Sequence, residues 1–126
     1  MVFFYRRKCK REFKYALEIN NGKIFFLYGE YHEFDFLTYF ETHHSEIICL
    51  QIPNRSIDDL FIDHLMQGRK PKSLPKLVKI DGNNLLVKEH YNSFKHCIRR
   101  TNNTNRFFEL IESSIQNLEK PPYKEV

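Results

Sequence analysis

Residues 14–19, KYALEI, alternate: Tyr15, Leu17 and Ile19 fall on one side, and Lys14, Ala16 and Glu18 on the other. That period belongs to a half-buried strand. The stretch before it, YRRKCKREFKY at residues 5–15, fits two periods. With period two, Phe4, Arg6, Lys8, Lys10, Glu12 and Lys14 share a face. With helical period, Tyr5, Cys9 and Phe13 align. The strand pattern that follows favours an extended segment. Asn20-Asn21-Gly22 offers the positive φ angles of a tight hairpin, and KIFFLY continues as a second strand, apolar on both faces and so the more central of the two.

Beyond Gly29, Phe36, Leu37 and Phe40 recur at helical spacing behind Asp35, which is placed to cap the first turn. The apolar run of EIICLQIP at 46–53 reads as a buried strand stopped by Pro53. Ser56 and Asp59 resemble a capping box. Ile57, Leu60, Phe61 and Leu65 then form one helical stripe that ends at Gly68. RKPKSLPK at 69–76 is a loop. KLVKI and LLVKEHY form a hairpin through the four residues Asp81-Gly82-Asn83-Asn84. Ser93 is placed to cap a helix carrying Phe94, Cys97 and Ile98. After TNNTN, a last amphipathic helix carries Phe107, Phe108, Ile111, Ile115 and Leu118 as far as Pro121.

These elements predict an α+β fold over residues 1–126 as one domain. Its antiparallel sheet has about five strands built from hairpins, with three to four helices packed on one side and a mobile tail from about residue 120. Twelve Phe and seven Tyr supply bulky core groups, and a charged content of 29% supplies a wet surface. Cys9, Cys49 and Cys97 are odd in number and far apart, which suits a reducing cytoplasm better than a disulfide framework. The longest apolar run, IFFLY, is far too short to span a bilayer, so no membrane is expected.

Charge is segregated along the chain. Net charge is +5 over residues 1–23, −7 over 24–68, +8 over 69–106 and −2 over the remainder, within a total of +4. If the first and third segments met, they would make one basic face. Arg6, Arg7, Lys8, Lys10, Arg69, Lys70, Lys72, Arg99 and Arg100 are the candidate contacts to nucleic acid. The bland account of Arg6, Lys8 and Lys10 is a solvated edge strand that avoids pairing with neighbours. The acidic block makes Asp58, Asp59, Asp63, Glu41 and Glu46 the candidates for a protein partner.

His64 falls seven residues after Ile57, inside its helix's apolar stripe, the place of a core histidine with one hydrogen bond. Asp59 and Asp63, four apart on one helix, read as solvated carboxylates before they read as metal ligands. His43 and His44 suit a helix C-terminus. His90 and His96 read as surface residues, with an acid–base pair of a small nuclease as the sharper alternative. None of the four glycines belongs to a phosphate-cradling cluster, and no hydrolase, zinc-protease or P-loop pattern occurs. No cofactor, metal or catalytic residue is therefore assigned. The leading expectation is a small cytoplasmic binding protein of the inhibitor, antitoxin or toxin-immunity kind, more a docking protein than an enzyme. Nucleic-acid binding through the two basic segments comes second, and a nuclease third.

Overall fold

The computed structural model describes residues 2–30, 34–53, 59–67 and 74–119. Among these residues, five α-helices and four strands follow in the order α1 (Val2–Ile19), β1 (Ile24–Tyr28), α2 (Phe36–His43), β2 (Ile48–Gln51), α3 (Leu60–Met66), β3 (Lys76–Asp81), β4 (Asn84–Glu89), α4 (Tyr91–Phe94) and α5 (Thr104–Glu119). Between α4 and α5 the helix widens into a π-helical segment, Lys95–Arg100. The α+β class holds, with a mixed sheet of four strands. The sheet order is β2-β1-β3-β4, with β1 parallel to β2 and antiparallel to β3, and β3 antiparallel to β4.

Successive side chains of a strand point to opposite faces, and β1 uses both for burial. Ile24 and Phe26 enter a cluster with Leu77 of β3, Phe36 and Phe40 of α2, Phe94, and Phe107, Ile111 and Ile115 of α5. Phe25 and Leu27 enter a second cluster with Val78, Ile80, and Leu65 and Met66 of α3, against which Leu17 of α1 packs. Helices therefore cover both faces of the sheet and not one. This is why β1 reads as an unbroken apolar run.

The largest correction falls on the N-terminal segment, where α1 replaces the expected strand. Among residues 11–20, whose burial is described, Phe13, Ala16 and Leu17 of α1 and Asn20 just after it are half-buried, a spacing of three and four that belongs to a helix. Tyr15 and Ile19, which the alternation placed beside Leu17, are 63% and 53% exposed. Asn20-Asn21-Gly22 still turns the chain, but from helix to strand. Gly22 takes φ 83°, a value that costs a residue without a Cβ little. Its amide donates to the Ile80 carbonyl at 2.7 Å, and Asn21 Oδ1 accepts from the Gly82 amide at 2.7 Å. The turn is thereby tied to the β3–β4 hairpin.

Smaller corrections concern boundaries. Asp59 is itself the N-cap of α3, accepting from the Phe61 and Ile62 amides at 2.8 and 3.0 Å, so the described helix starts after it. Ser56, Ile57 and Asp58 lie outside the described residues, as do Gly68 and the tail from residue 120. Gln67, at φ 57°, takes the left-handed position expected of Gly68. Asp81 pairs with Asn84, so the hairpin turns through two residues. Gly82 sits at the first position with φ 62°, as a type II′ turn requires. Residue 90, not Ser93, precedes the first turn of α4. Lys76, where the loop 69–76 meets the strand KLVKI, begins β3 as that strand reading has it, and it is buried. Its Nζ donates to the Met66 carbonyl at 3.2 Å, placing a cation at the C-terminus of α3.

Phe26 is fully buried, with its ring centroid 4.4 Å from that of Phe40 and 5.1 Å from that of Phe36. Phe26→Ala should lower stability by about 3–5 kcal/mol. Tyr15→Ala on the outer side of α1 should stay within about 0.5 kcal/mol. Urea denaturation of the two variants checks both values, and a large loss at Tyr15 would contradict the helical register.

Candidate functional site

The acidic candidates divide between the two helical layers. Glu41 on α2 and Glu46 in the turn after it are exposed on the side of the sheet that Phe26 faces, because Phe36 and Phe40 anchor α2 to that ring. Asp59 and Asp63 are exposed on α3, whose Phe61 packs against Phe25 on the opposite side at 5.6 Å. The sheet lies between the two pairs, and Asp58 is outside the described residues. Asp59 has structural work as a cap, and hydrogen bonds from Thr38 hold the Asp35 carboxyl at the start of α2 below its usual range. Leu37, one turn before Glu41, is 41% exposed, so the outer side of α2 combines an apolar group with acids.

The inner side of α2 carries a polar cluster that local patterns do not reveal. The Tyr39 hydroxyl donates to Glu112 Oε2 on α5, and His44 Nε2 lies 2.6 Å from the same oxygen. His44 Nδ1 is 3.5 Å from Glu46 Oε1, so one imidazole links the turn after α2 to α5. The Tyr39 ring stacks on Phe108 with centroids 3.7 Å apart. Burial, with the Glu112 carboxylate beside it, pushes the Tyr39 hydroxyl well above its usual range. Burial works upward on Glu112 as well. Its hydrogen bonds from Tyr39 and His44, with the nearby charge of His44 and His43, outweigh that and leave the carboxyl below its usual range. The expected capping role is met in part: the backbone amide of His44 closes α2 on the Phe40 carbonyl at 2.8 Å, while its ring serves the α5 contact.

The other histidines depart from expectation. His64 is half-buried, with its ring edge-on to Phe13 of α1 at 5.1 Å, so it seals the α1–α3 contact and is not a core group. Together with Asp63, Gln67, Asn83, Asn84 and Leu85 it lines an open depression of about 570 Å³ between the end of α3 and the hairpin. His90, read from sequence as a surface residue, is only 6% exposed. Its Nε2 lies 2.8 Å from Ser114 Oγ on α5, and its Nδ1 is buried without a hydrogen-bond partner among the described residues. Burial, with the charge of Lys88, pulls its pKa down to about 4. His96 is exposed on the π-helical segment and does not share this environment. Among the described residues, no three His, Cys, Asp or Glu side chains are arranged to hold a metal. Cys49 and Cys97 are free thiols, and burial with the charge of Glu41 pushes Cys49 up to about 11.

The basic candidates do not form the expected row. Arg6, Arg7, Lys8 and Lys10 belong to a helix, in which residues two apart no longer share a face, and their side chains lie outside the described atoms. Arg69, Lys70 and Lys72 are outside the described residues. Arg99 and Arg100 are exposed on the π-helical segment, which packs on α5 in the layer opposite α1. α1 and the π-helical segment therefore lie on different sides of the sheet. No helix among the described residues is long and apolar enough to cross a membrane. Comparison with protein families, curated proteins and solved structures finds no match.

The neutral form of His90 is favoured in the folded chain, so its folded pKa of about 4 lies below the ordinary 6.5. Between those values the unfolded chain binds the extra proton, and stability falls as pH falls. The loss, on the order of 3 kcal/mol at most, should be complete near pH 4. Glu112 acts lower: its contribution is present above the ordinary carboxylate range and disappears as pH falls through its depressed pKa. Urea midpoints across this range should therefore show two steps, and His90→Gln should flatten only the upper one.

Proposed function

We propose that this chain is a small non-enzymatic binding protein of the inhibitor, antitoxin or toxin-immunity kind, acting in the cytoplasm by docking on a basic protein partner. The observation that carries the reading is the outer side of α2, where exposed Leu37 sits one turn from Glu41 and Glu46 follows in the next turn. An apolar group framed by charge is the composition of a protein interface, with the acids speeding encounter and the apolar contact slowing release. The helix behind it is rigidly mounted through Phe36, Phe40 and Tyr39. Asp59 and Asp63 offer a second acidic position on the opposite layer, beyond the reach of the same flat contact. A single nucleic-acid or nuclease surface joining α1 to the π-helical segment has less support, because those two lie on different layers.

The test is capture of the partner from host lysate with and without nuclease treatment, followed by association kinetics with the purified partner. Glu41→Lys with Glu46→Lys should slow association roughly tenfold at low salt and weaken its salt dependence. Asp63→Lys should leave it unchanged. Asp59 is a poor probe, since losing its cap costs about 1 kcal/mol by itself. Unchanged kinetics in the double reversal would remove α2 from the interface, and capture abolished by nuclease would overturn the protein-docking reading.

A further inference from the structure

From His90 to Phe108 the chain contains Lys95, Arg99, Arg100 and Arg106 and no acidic residue. Within this stretch α4 widens at Lys95 into the π-helical segment, closed where the Thr101 amide donates to the His96 carbonyl five residues back at 3.0 Å. Such wide turns recur at functional sites. With more than four residues per turn, Lys95, Arg99 and Arg100 gather on the exposed side, while Cys97 is buried and Ile98 half-buried on the other. The Arg99 guanidinium lies over the Phe94 ring, 5.3 Å from its centroid, which limits its wandering. The segment then leaves through exposed Asn102, in the left-handed conformation at φ 51°. Arg106, on the first turn of α5, pairs with Glu109 at 3.2 Å.

The chemistry of the surface selects its ligand. Every exposed side chain between residues 91 and 106 is polar, whereas the large exposed apolar residues among those described, Tyr15, Ile19, Leu37, Leu60 and Leu86, lie elsewhere. Protein interfaces have an apolar centre, and the described residues of this stretch supply none. Nucleic-acid interfaces are more polar and more positive, with Arg, Lys and Asn contacting phosphate and sugar. We infer that the outward side of the π-helical segment, through Lys95, Arg99, Arg100 and Asn102, binds the sugar-phosphate backbone of a nucleic acid without reading its sequence. The site is separate from the acidic side of α2 and does not require α1.

Fluorescence anisotropy of the full chain with labelled mixed-sequence DNA and RNA oligonucleotides, in single and double strands, tests this across salt concentration. Three phosphate contacts predict a roughly 20- to 40-fold loss of affinity between about 50 and about 200 mM salt. The combined Lys95→Gln, Arg99→Gln and Arg100→Gln variant should lose most of that dependence, its log–log slope falling by two to three units. Lys95→Gln and Arg100→Gln alone, at exposed positions without the ring contact of Arg99, should each remove about one unit, which keeps the test open if the triple variant folds poorly. Arg11→Gln with Lys14→Gln, at exposed positions of α1, should leave binding unchanged. Absence of salt-dependent binding by the natural chain would overturn the inference, as would an equal loss in the α1 variant. Equally tight binding of polyglutamate would overturn the assignment to nucleic acid.

Discussion

The burial of β1 on both faces is the constraint from which the rest of the architecture follows. Ile24, Phe25, Phe26 and Leu27 present apolar groups alternately to the two sides of the sheet, and each side must be removed from water. One helical layer could satisfy only half of that requirement. Parallel pairing of β1 with β2 needs a crossover, and the crossover helix α2 brings Phe36 and Phe40 onto Phe26. The return from β2 to β3 passes through α3, which covers Phe25 from the other side through Phe61. Two cores result, each drawing on both β1 and β3, and each candidate surface is the outer side of a helix committed inwardly to one of them.

What the sequence discloses depends on the range of the interaction. β1, β2, β3, β4 and α5 were legible because their apolar runs, alternation and spacing are local. Phe107, Ile111, Ile115 and Leu118 are buried where the pattern put them. The segment at 14–19 was misread because Tyr15 and Ile19 mimic alternation around Leu17, and nothing within six residues distinguishes an exposed tyrosine from a buried one. Phe13, Ala16, Leu17 and Asn20 carried the helical signal, but only to a reader who already counted Tyr15 as wet. The site was less legible still. Tyr39 and Glu112 are 73 residues apart, and His90 meets Ser114 only once α5 has folded back over the sheet.

The segregation of charge along the chain shows the same limit. Blocks of opposite sign suggested a basic face opposed to an acidic one, yet folding interleaves them. Basic α1 packs beside α3 with Asp59 and Asp63 on one layer. The other layer holds α2 with Glu41 and the π-helical segment with Arg99 and Arg100. The blocks of charge along the chain therefore do not map onto two opposed faces of the described structure. Asp59 at the N-terminus of α3 and Lys76 at its C-terminus are matched within a single helix, each charge set against the end of the dipole that favours it.

Placing acids and bases in one layer also governs how far each surface can act. At physiological ionic strength a field decays over about 8 Å, and a neighbouring region of opposite sign shortens that reach. Steering by the acidic side of α2 or by the basic π-helical segment is then strongest at low salt, and at physiological salt selectivity passes to what lies between the charges. Exposed Leu37 rewards a partner that can bury it, whereas Asn102 and the held guanidinium of Arg99 reward one that can accept hydrogen bonds. Both surfaces are seated on α5, α2 through the stacking of Tyr39 on Phe108 and α4 through Phe94 against Phe107 at 5.7 Å. Their separation is fixed by packed aromatic rings and not by a flexible linker, so two ligands of opposite charge would meet the same helical layer at a set distance from each other.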